Sequence, residues 1–204
     1  ARTRYGNRPP LGILYIGTFR KAHGIEGQVL DPGEKDDGFI TRVAAFRPDL
    51  VGISAATSQV ERGRTITEQV RRALPGARIL WGGVHTSALP AETLQETGAD
   101  FAVAGEGEIA TLALCRTLEQ GTDPSAIPGR WCRRQGAIVS GPPARIIEPL
   151  DAIPIPDRGL LDNFRWYLSP PGVLRGHFLP GVASLSTSRG CPYSCLFCGN
   201  RALG

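Results

Sequence analysis

Eight residues near the end of the chain carry three thiols: Cys191, Cys195 and Cys198, in the run TSRGCPYSCLFCGN. The spacing Cys-x-x-x-Cys-x-x-Cys puts three soft, anionic donors on one short loop, stiffened by Gly190 and Pro192. Donors of this kind suit iron–sulfur clusters, which four thiolates ordinarily hold. No fourth cysteine lies nearby, since the other two are Cys115 and Cys132. A cluster gripped by three thiolates keeps one iron open, and an open coordination position is where a metal site does chemistry. Structural zinc sites favour two Cys-x-x-Cys pairs, or Cys pairs with His pairs. Here only His177 is near, across a Pro/Gly-rich gap. A disulfide reading leaves an odd cysteine and needs an oxidising compartment, for which the chain shows no signal peptide. Zinc and inert or redox thiols stay open as alternatives to a cluster.

The run resembles the cluster loop of the radical S-adenosylmethionine (SAM) enzymes. The aromatic Phe197, just before the third cysteine, and Tyr193 match that family, as does the preceding Ser-Arg-Gly. The resemblance implies a [4Fe–4S] cluster on Cys191, Cys195 and Cys198, with SAM chelated at the open iron. Tyr193 and Phe197 would then stand by the bound SAM, whose adenine the family places beside such an aromatic.

The rest of the chain has to position this loop. At 204 residues with 41% apolar content it holds one large or two small domains with a real core. The net charge is +4, but the basic residues are scattered, so no nucleic-acid footprint is expected. No apolar run approaches the ~20 residues that a membrane-spanning helix needs. The chain contains no Met and stops six residues after Cys198, so it reads as a fragment cut at both ends, without activity of its own.

Hydrophobic periodicity supplies the elements. PPLGILYIGTFRKAHG reads as a helix closed by Gly24, and GQVLD (27–31) as a short strand. Residues 35–47 read as a helix and 49–54 as a strand buried on both faces. A helix over 58–74, a strand over 77–83, a short helix over 90–98, a strand over 99–105 and a helix over 106–120 follow. This alternation argues a doubly wound, Rossmann-like parallel α/β sheet. RWCRRQGAIVSG reads as a hairpin turning at Gln135-Gly136, EPLDAIPIPDRGLLDNF as a linker, and 181–188 as a last strand leading into the cysteines.

In such sheets ligands bind beyond the carboxyl ends of the strands. Those ends read SAATSQ, GGVHTS and GEGE. Gly82, Gly83, Gly105 and Gly107 would admit a bulky ligand close to the backbone. Ser54, Thr57, Thr86 and Ser87 offer hydroxyls, and His85, Glu106 and Glu108 polar handles. The bland alternative is that these residues cap the helices that follow. His85 reads equally as a ligand contact or as a helix cap.

This set resembles the cobalamin-binding domain that precedes many radical SAM cores. PPLGILYIGTFRKAHG, DLVGIS, GGVHTS, GEGE and LDAIPIPDRGLL follow its order and spacing. The resemblance implies a cobalamin-binding α/β domain over 1–121 lacking its first strand, a hairpin and linker over 122–180, and the truncated start of a partial (β/α) barrel over 181–204. It implies cobalamin held at Ser54, Thr57, Gly82, Gly83, His85, Thr86, Ser87 and Gly105–Glu108. Where many cobalamin domains carry Asp-x-His-x-x-Gly, this chain reads DPGEKDDG without His, so no protein imidazole is expected on cobalt. The implied activity is cobalamin-dependent radical SAM chemistry, with methyl transfer to an unactivated carbon preferred. An oxidative cyclase, a radical SAM enzyme without cobalamin, or a non-catalytic iron–sulfur or zinc module are the alternatives. A small-molecule or natural-product substrate, an electron donor such as flavodoxin or ferredoxin, and a cytoplasmic location complete the expectation.

Overall fold

A computed structural model of the protein describes residues 9–32, 36, 38–162, 164–167, 172–174, 177–179, 184–193 and 195–199. Helix α1 (Leu11–Ala22) follows Pro10, and Arg20 and Lys21 complement the negative end of its dipole. His23 caps it, and Gly24 leaves at φ 79°, the left-handed conformation glycine adopts without cost. Its face of Leu14, Gly17, Thr18 and Phe19 is buried. Helix α2 spans Phe39–Phe46 and stops at Arg47, ahead of Pro48. Residue 35, the expected start of this helix, lies outside the described residues.

Three parallel strands form the heart of the sheet: β1 (Leu50–Ser54), β2 (Arg78–Gly82) and β3 (Phe101–Val103). Helix α3 (Val60–Ala73) joins the first two, and α5 (Pro90–Thr97), opened by its proline, leads into the third. Helix α6 (Gly107–Gln120) follows β3 and ends at Gly121 in the left-handed region. Alternation along the strands sends side chains to two layers. Ile79, Trp81 and Ala102 face a core with Val43, Val70 and Leu94 of α2, α3 and α5. Leu80, Phe101 and Val103 face the other side, against Ala110 and Leu114 of α6. Helices therefore cover both faces, and the expected Rossmann-like α/β fold is the observed one.

Four differences from the sequence expectation have local causes. Residues 84–88 form a short helix, α4 (Val84–Ala88), where a loop was expected. Gly83 turns the chain at φ 90°, and the hydroxyls of Thr86 and Ser87 bond back to the carbonyls of Gly82 and Gly83. The hairpin β4 (Arg130–Arg134) and β5 (Ala137–Ser140) turns at Gln135-Gly136 as expected, but it is no appendage. It pairs antiparallel with β3, through Phe101↔Cys132 and Val103↔Arg130, and extends the sheet to five strands in the order β1-β2-β3-β4-β5. The expected strand at 27–31 shrinks to one bridge, Val29 parallel to Leu161. A strand exists by its ladder, and the space between Val29 and β1 is cavity.

The expected strand at 181–188 differs too. Residues 181–183 lie outside the described set, and 184–188 carry no strand pairing. Their carbonyls are taken by side chains instead: Arg158 Nη2 donates to Ser184 O at 2.5 Å, and Tyr15 Oη to Ser186 O at 3.3 Å. Just upstream, β6 (Gly172–Leu174) and β7 (His177–Leu179) form a separate antiparallel pair. No closed barrel is present among the described residues.

Candidate functional site

The carboxyl ends of β1, β2 and β3 and the start of α6 line one part of a cavity of about 1390 Å³. Ser54, Gly82, Gly83 and Gly105–Glu108 line this end. From there the cavity follows the outer edge of β1, with Val51 and Ile53 on one side and Val29 and Leu30 on the other. Among the described residues no strand pairs with that edge.

The strand-end residues divide by use. A Cβ on Gly83 would come within 2.7 Å of Ser54 Oγ, so this glycine lets the loops after β1 and β2 touch. On Gly105 it would meet Ala144 at 2.9 Å, and on Gly107 it would meet Ile16 of α1 at 2.6 Å. These three glycines line the cavity and are also required by close packing of the protein's own loops and α1. Gly82 is different: its nearest neighbour for a Cβ stands at 3.9 Å. Thr86 is fully buried and bonded to Gly82 O. Ser87 Oγ donates to Gly83 O and accepts from Gly105 N, tying the loops after β2 and β3 together. Thr57 is exposed, and its hydroxyl lies 3.3 Å from His85 Nδ1.

His85 is only 6% exposed, and its Nε2 has no hydrogen-bond partner among the described residues. An orphaned buried nitrogen of this kind wants a partner. The His85 backbone N donates to Ala55 O at 3.3 Å, which sets the residue against the loop after β1, although it does not itself line the cavity. These features fit a broad, polar-edged ligand lying over the ends of β1 and β2.

Cys191, Cys195 and Cys198 are exposed free thiols. Cys198 N donates to Cys195 O at 3.1 Å, which turns the chain between the second and third. Their neighbours stand in solvent as well: Tyr193 is 72% exposed, Leu196 94% and Phe197 93%. Among the described residues no three His, Cys, Asp or Glu side chains stand close enough to hold a metal ion. The donor set is nevertheless that of a cluster loop: three unpaired thiols within eight residues, open to an incoming metal. Of the remaining cysteines, Cys132 is buried 2.5 Å from Arg130 Nη1. Cys115 is half-buried, with burial pushing its thiol pKa up.

The cysteine loop is anchored to the sheet by a residue not assigned a role from the sequence. Arg189 donates through Nη1 to Glu106 Oε1 at 3.0 Å and through Nη2 to Glu108 Oε1 at 2.5 Å. Its guanidinium lies over the ring of Tyr15, 4.8 Å from the centroid. Glu106 also accepts from the backbone N of Ile147 at 2.6 Å, so both its oxygens are engaged. Glu108 is 4% exposed. Burial works against the charge of Arg189, and its hydrogen bonds to Glu108 and Glu106 outweigh it, so its pKa is raised. The paired acids of GEGE, at the start of α6, thus meet a cation, the arginine two residues before Cys191. No periodicity or spacing in the sequence connects positions so far apart.

A model of the B12-binding domain family matches residues 1–115. The chain belongs to the B12-binding domain family. It is 31% identical over 199 residues to an uncharacterized methyltransferase, PH0819, of Pyrococcus horikoshii, covering 94% of this chain and 40% of that protein. It is 29% identical over 204 residues to the anaerobic magnesium-protoporphyrin IX monomethyl ester cyclase of Rubrivivax gelatinosus, covering 95% and 35%. Among solved structures it resembles the radical SAM methyltransferase TsrM of Kitasatospora setae with tryptophan and a SAM analogue bound. There the TM-score is 0.61 and the identity 25%, over 68% of this chain and 28% of that one. The fold extends over 94% of the chain in the cobalamin-dependent SAM radical enzyme OxsB, with a TM-score of 0.74 at 20% identity and 26% of that chain covered. The chain spans well under half the length of these curated relatives. No described helix of this B12-binding chain is long and apolar enough to cross a membrane.

Proposed function

We propose that the protein containing this B12-binding chain is a cobalamin-dependent radical SAM enzyme that methylates an unactivated carbon of a small-molecule or natural-product substrate. The observation that carries the reading is the union, in one chain, of a B12-binding domain with a three-cysteine loop held against its sheet by Arg189. When bound, the cluster, SAM and cobalamin would supply the radical and the methyl group. The chain's own residues would hold these groups. Cys191, Cys195 and Cys198 would ligate three irons, with Tyr193 and Phe197 beside the SAM adenine. Ser54, Thr57, Gly82, Gly83 and the orphaned Nε2 of His85 would meet the corrin edge and tail, with Thr86, Ser87 and Gly105–Glu108 shaping that rim. With no His in DPGEKDDG, the lower cobalt face would take no imidazole from that loop.

In this reading 1–121 form the cobalamin-binding domain, 122–180 its hairpin and linker, and 181–204 the start of the radical SAM core. A flavodoxin- or ferredoxin-like donor in the cytoplasm would provide electrons. The likeness to magnesium-protoporphyrin ester cyclases favours a second reading, oxidative cyclisation by the same cofactors. Incubating the full-length, reconstituted protein with SAM carrying a labelled methyl group and a low-potential reductant tests both. Formation of 5′-deoxyadenosine with label passing to an acceptor supports methylation. Formation of 5′-deoxyadenosine with the label recovered only in released methionine and remaining SAM, and none in a product, supports cyclisation. Unchanged SAM cleavage in a Cys191→Ala/Cys195→Ala/Cys198→Ala variant would contradict both.

A further inference from the structure

The segment that carries the thiols is tied to α1 and the start of α6 through Arg189 and Ser186, and to the linker through Ser184. Tyr15 and Ile16 of α1 pack beside Gly105–Glu108, where Gly107 leaves room for Ile16. There Arg189 joins two carboxylates and the Tyr15 ring, and Tyr15 holds Ser186 O; apart from this junction, Arg158 of the linker holds Ser184 O. A guanidinium that forks between two carboxylates fixes direction as well as distance, which an ammonium cannot do. Glu108 makes no other hydrogen bond among the described residues, so undocking the loop would leave this carboxylate without its cation. The arginine stands two residues from Cys191, and the carboxylates stand at the carboxyl end of the central sheet.

We propose that Arg189, forked between Glu106 and Glu108 and seated on Tyr15, is a positioning residue that docks the cysteine loop onto the carboxyl end of the sheet. On the proposed function, this contact sets where the cluster stands relative to the cobalamin surface. GEGE then serves as the receptor for the loop, and the neighbouring Ser54, Gly82 and Gly83 are left to the ligand.

Thermolysin cleavage at the Ser184–Leu185 bond reads docking in the unloaded, full-length protein, because Leu185 is exposed in this chain and the backbone beside it is anchored through Ser184 O and Ser186 O. Arg189→Gln is expected to speed this cleavage ~10–100-fold, the range for losing a charge-assisted, bidentate contact. Arg189→Lys should fall between, since it keeps charge and loses the fork. In a Glu106→Gln/Glu108→Gln background Arg189→Gln should add nothing more, as members of one network are not additive. Glu106→Gln alone serves if the double variant does not fold. Unchanged cleavage in Arg189→Gln, or independent effects of the arginine and the acids, would overturn the docking. In the protein loaded with cluster and cobalamin, magnetic coupling between Co(II) and the reduced cluster should weaken in Arg189→Gln with metal contents unchanged. Unaltered coupling would overturn the positioning role. A protein that takes up neither cofactor would count against the proposed function, while the cleavage result would still decide the docking.

Discussion

Gly63 of α3 faces the indole of Trp81, and a Cβ there would stand 2.4 Å from the ring. Trp81 is fully buried in the core between β2 and the helices, so the ring has nowhere to go. Alanine gains about 1 kcal/mol of helix propensity over glycine, while overpacking costs about 1–3 kcal/mol. Overpacking should win, and Gly63→Ala should lower the urea midpoint. A raised midpoint would show that the ring can yield. The same indole donates from Nε1 to Thr67 Oγ1 at 2.9 Å. Thr67→Val keeps the shape and orphans the N–H, at about 1–3 kcal/mol, measured by the same titration. At this scale the sequence was uneven as a guide. The three cysteines announce themselves because their chemistry lies in local spacing. Arg189 does not, because its partners Glu106, Glu108 and Tyr15 come from distant elements. Gly83, Gly105 and Gly107 were legible as glycines that admit something close, but what they admit, neighbouring loops and α1, depends on packing.

Among the elements, the linker over 157–161 is held to α1 by few bonds. Lys21 Nζ lies 2.8 Å from Asp157 Oδ2, and Asp157 N donates to Thr18 Oγ1 at 2.7 Å. The Lys21 hydrogen bond, with a second from Gly159 N, holds the Asp157 carboxyl below its usual pKa. A carboxyl depressed in the fold stabilises it above the unfolded pKa of ~3.9 and loses that contribution as pH falls through the folded value. Asp157 is 40% exposed, so screening leaves well under about 1 kcal/mol. Urea titrations of the parent and Asp157→Asn proteins should differ at pH 6, and the gap should narrow as pH falls below the unfolded value of ~3.9. A gap that widened on acidification would contradict the assignment. The elements themselves were legible wherever local pattern forms them. Strands 50–54, 78–82 and 101–103 and helices 11–22, 60–73 and 107–120 lie within the expected ranges. The strand at 27–31 failed because its apolar run specifies an extended segment, whereas a ladder requires a neighbour that the described residues do not place there.

For the whole molecule, βα alternation gave the class of fold but not how the hairpin is used. Docking of β4 on β3 buries Cys132 and Arg130 and makes the sheet mixed, a choice made by tertiary contact. The result is a five-stranded sheet edged by β1 and β5, with the cysteine loop held at its carboxyl end by Arg189. Low-temperature electron paramagnetic resonance of the full-length protein, reconstituted anaerobically with iron, sulfide and cobalamin, tests this arrangement most directly. The account predicts bound Co(II) cobalamin without axial-nitrogen splitting. It also predicts a reduced [4Fe–4S] signal that changes on adding SAM and vanishes when Cys191, Cys195 and Cys198 are replaced by alanine. A protein that retains no cobalt, or whose cluster signal ignores SAM or survives loss of the three cysteines, would contradict it.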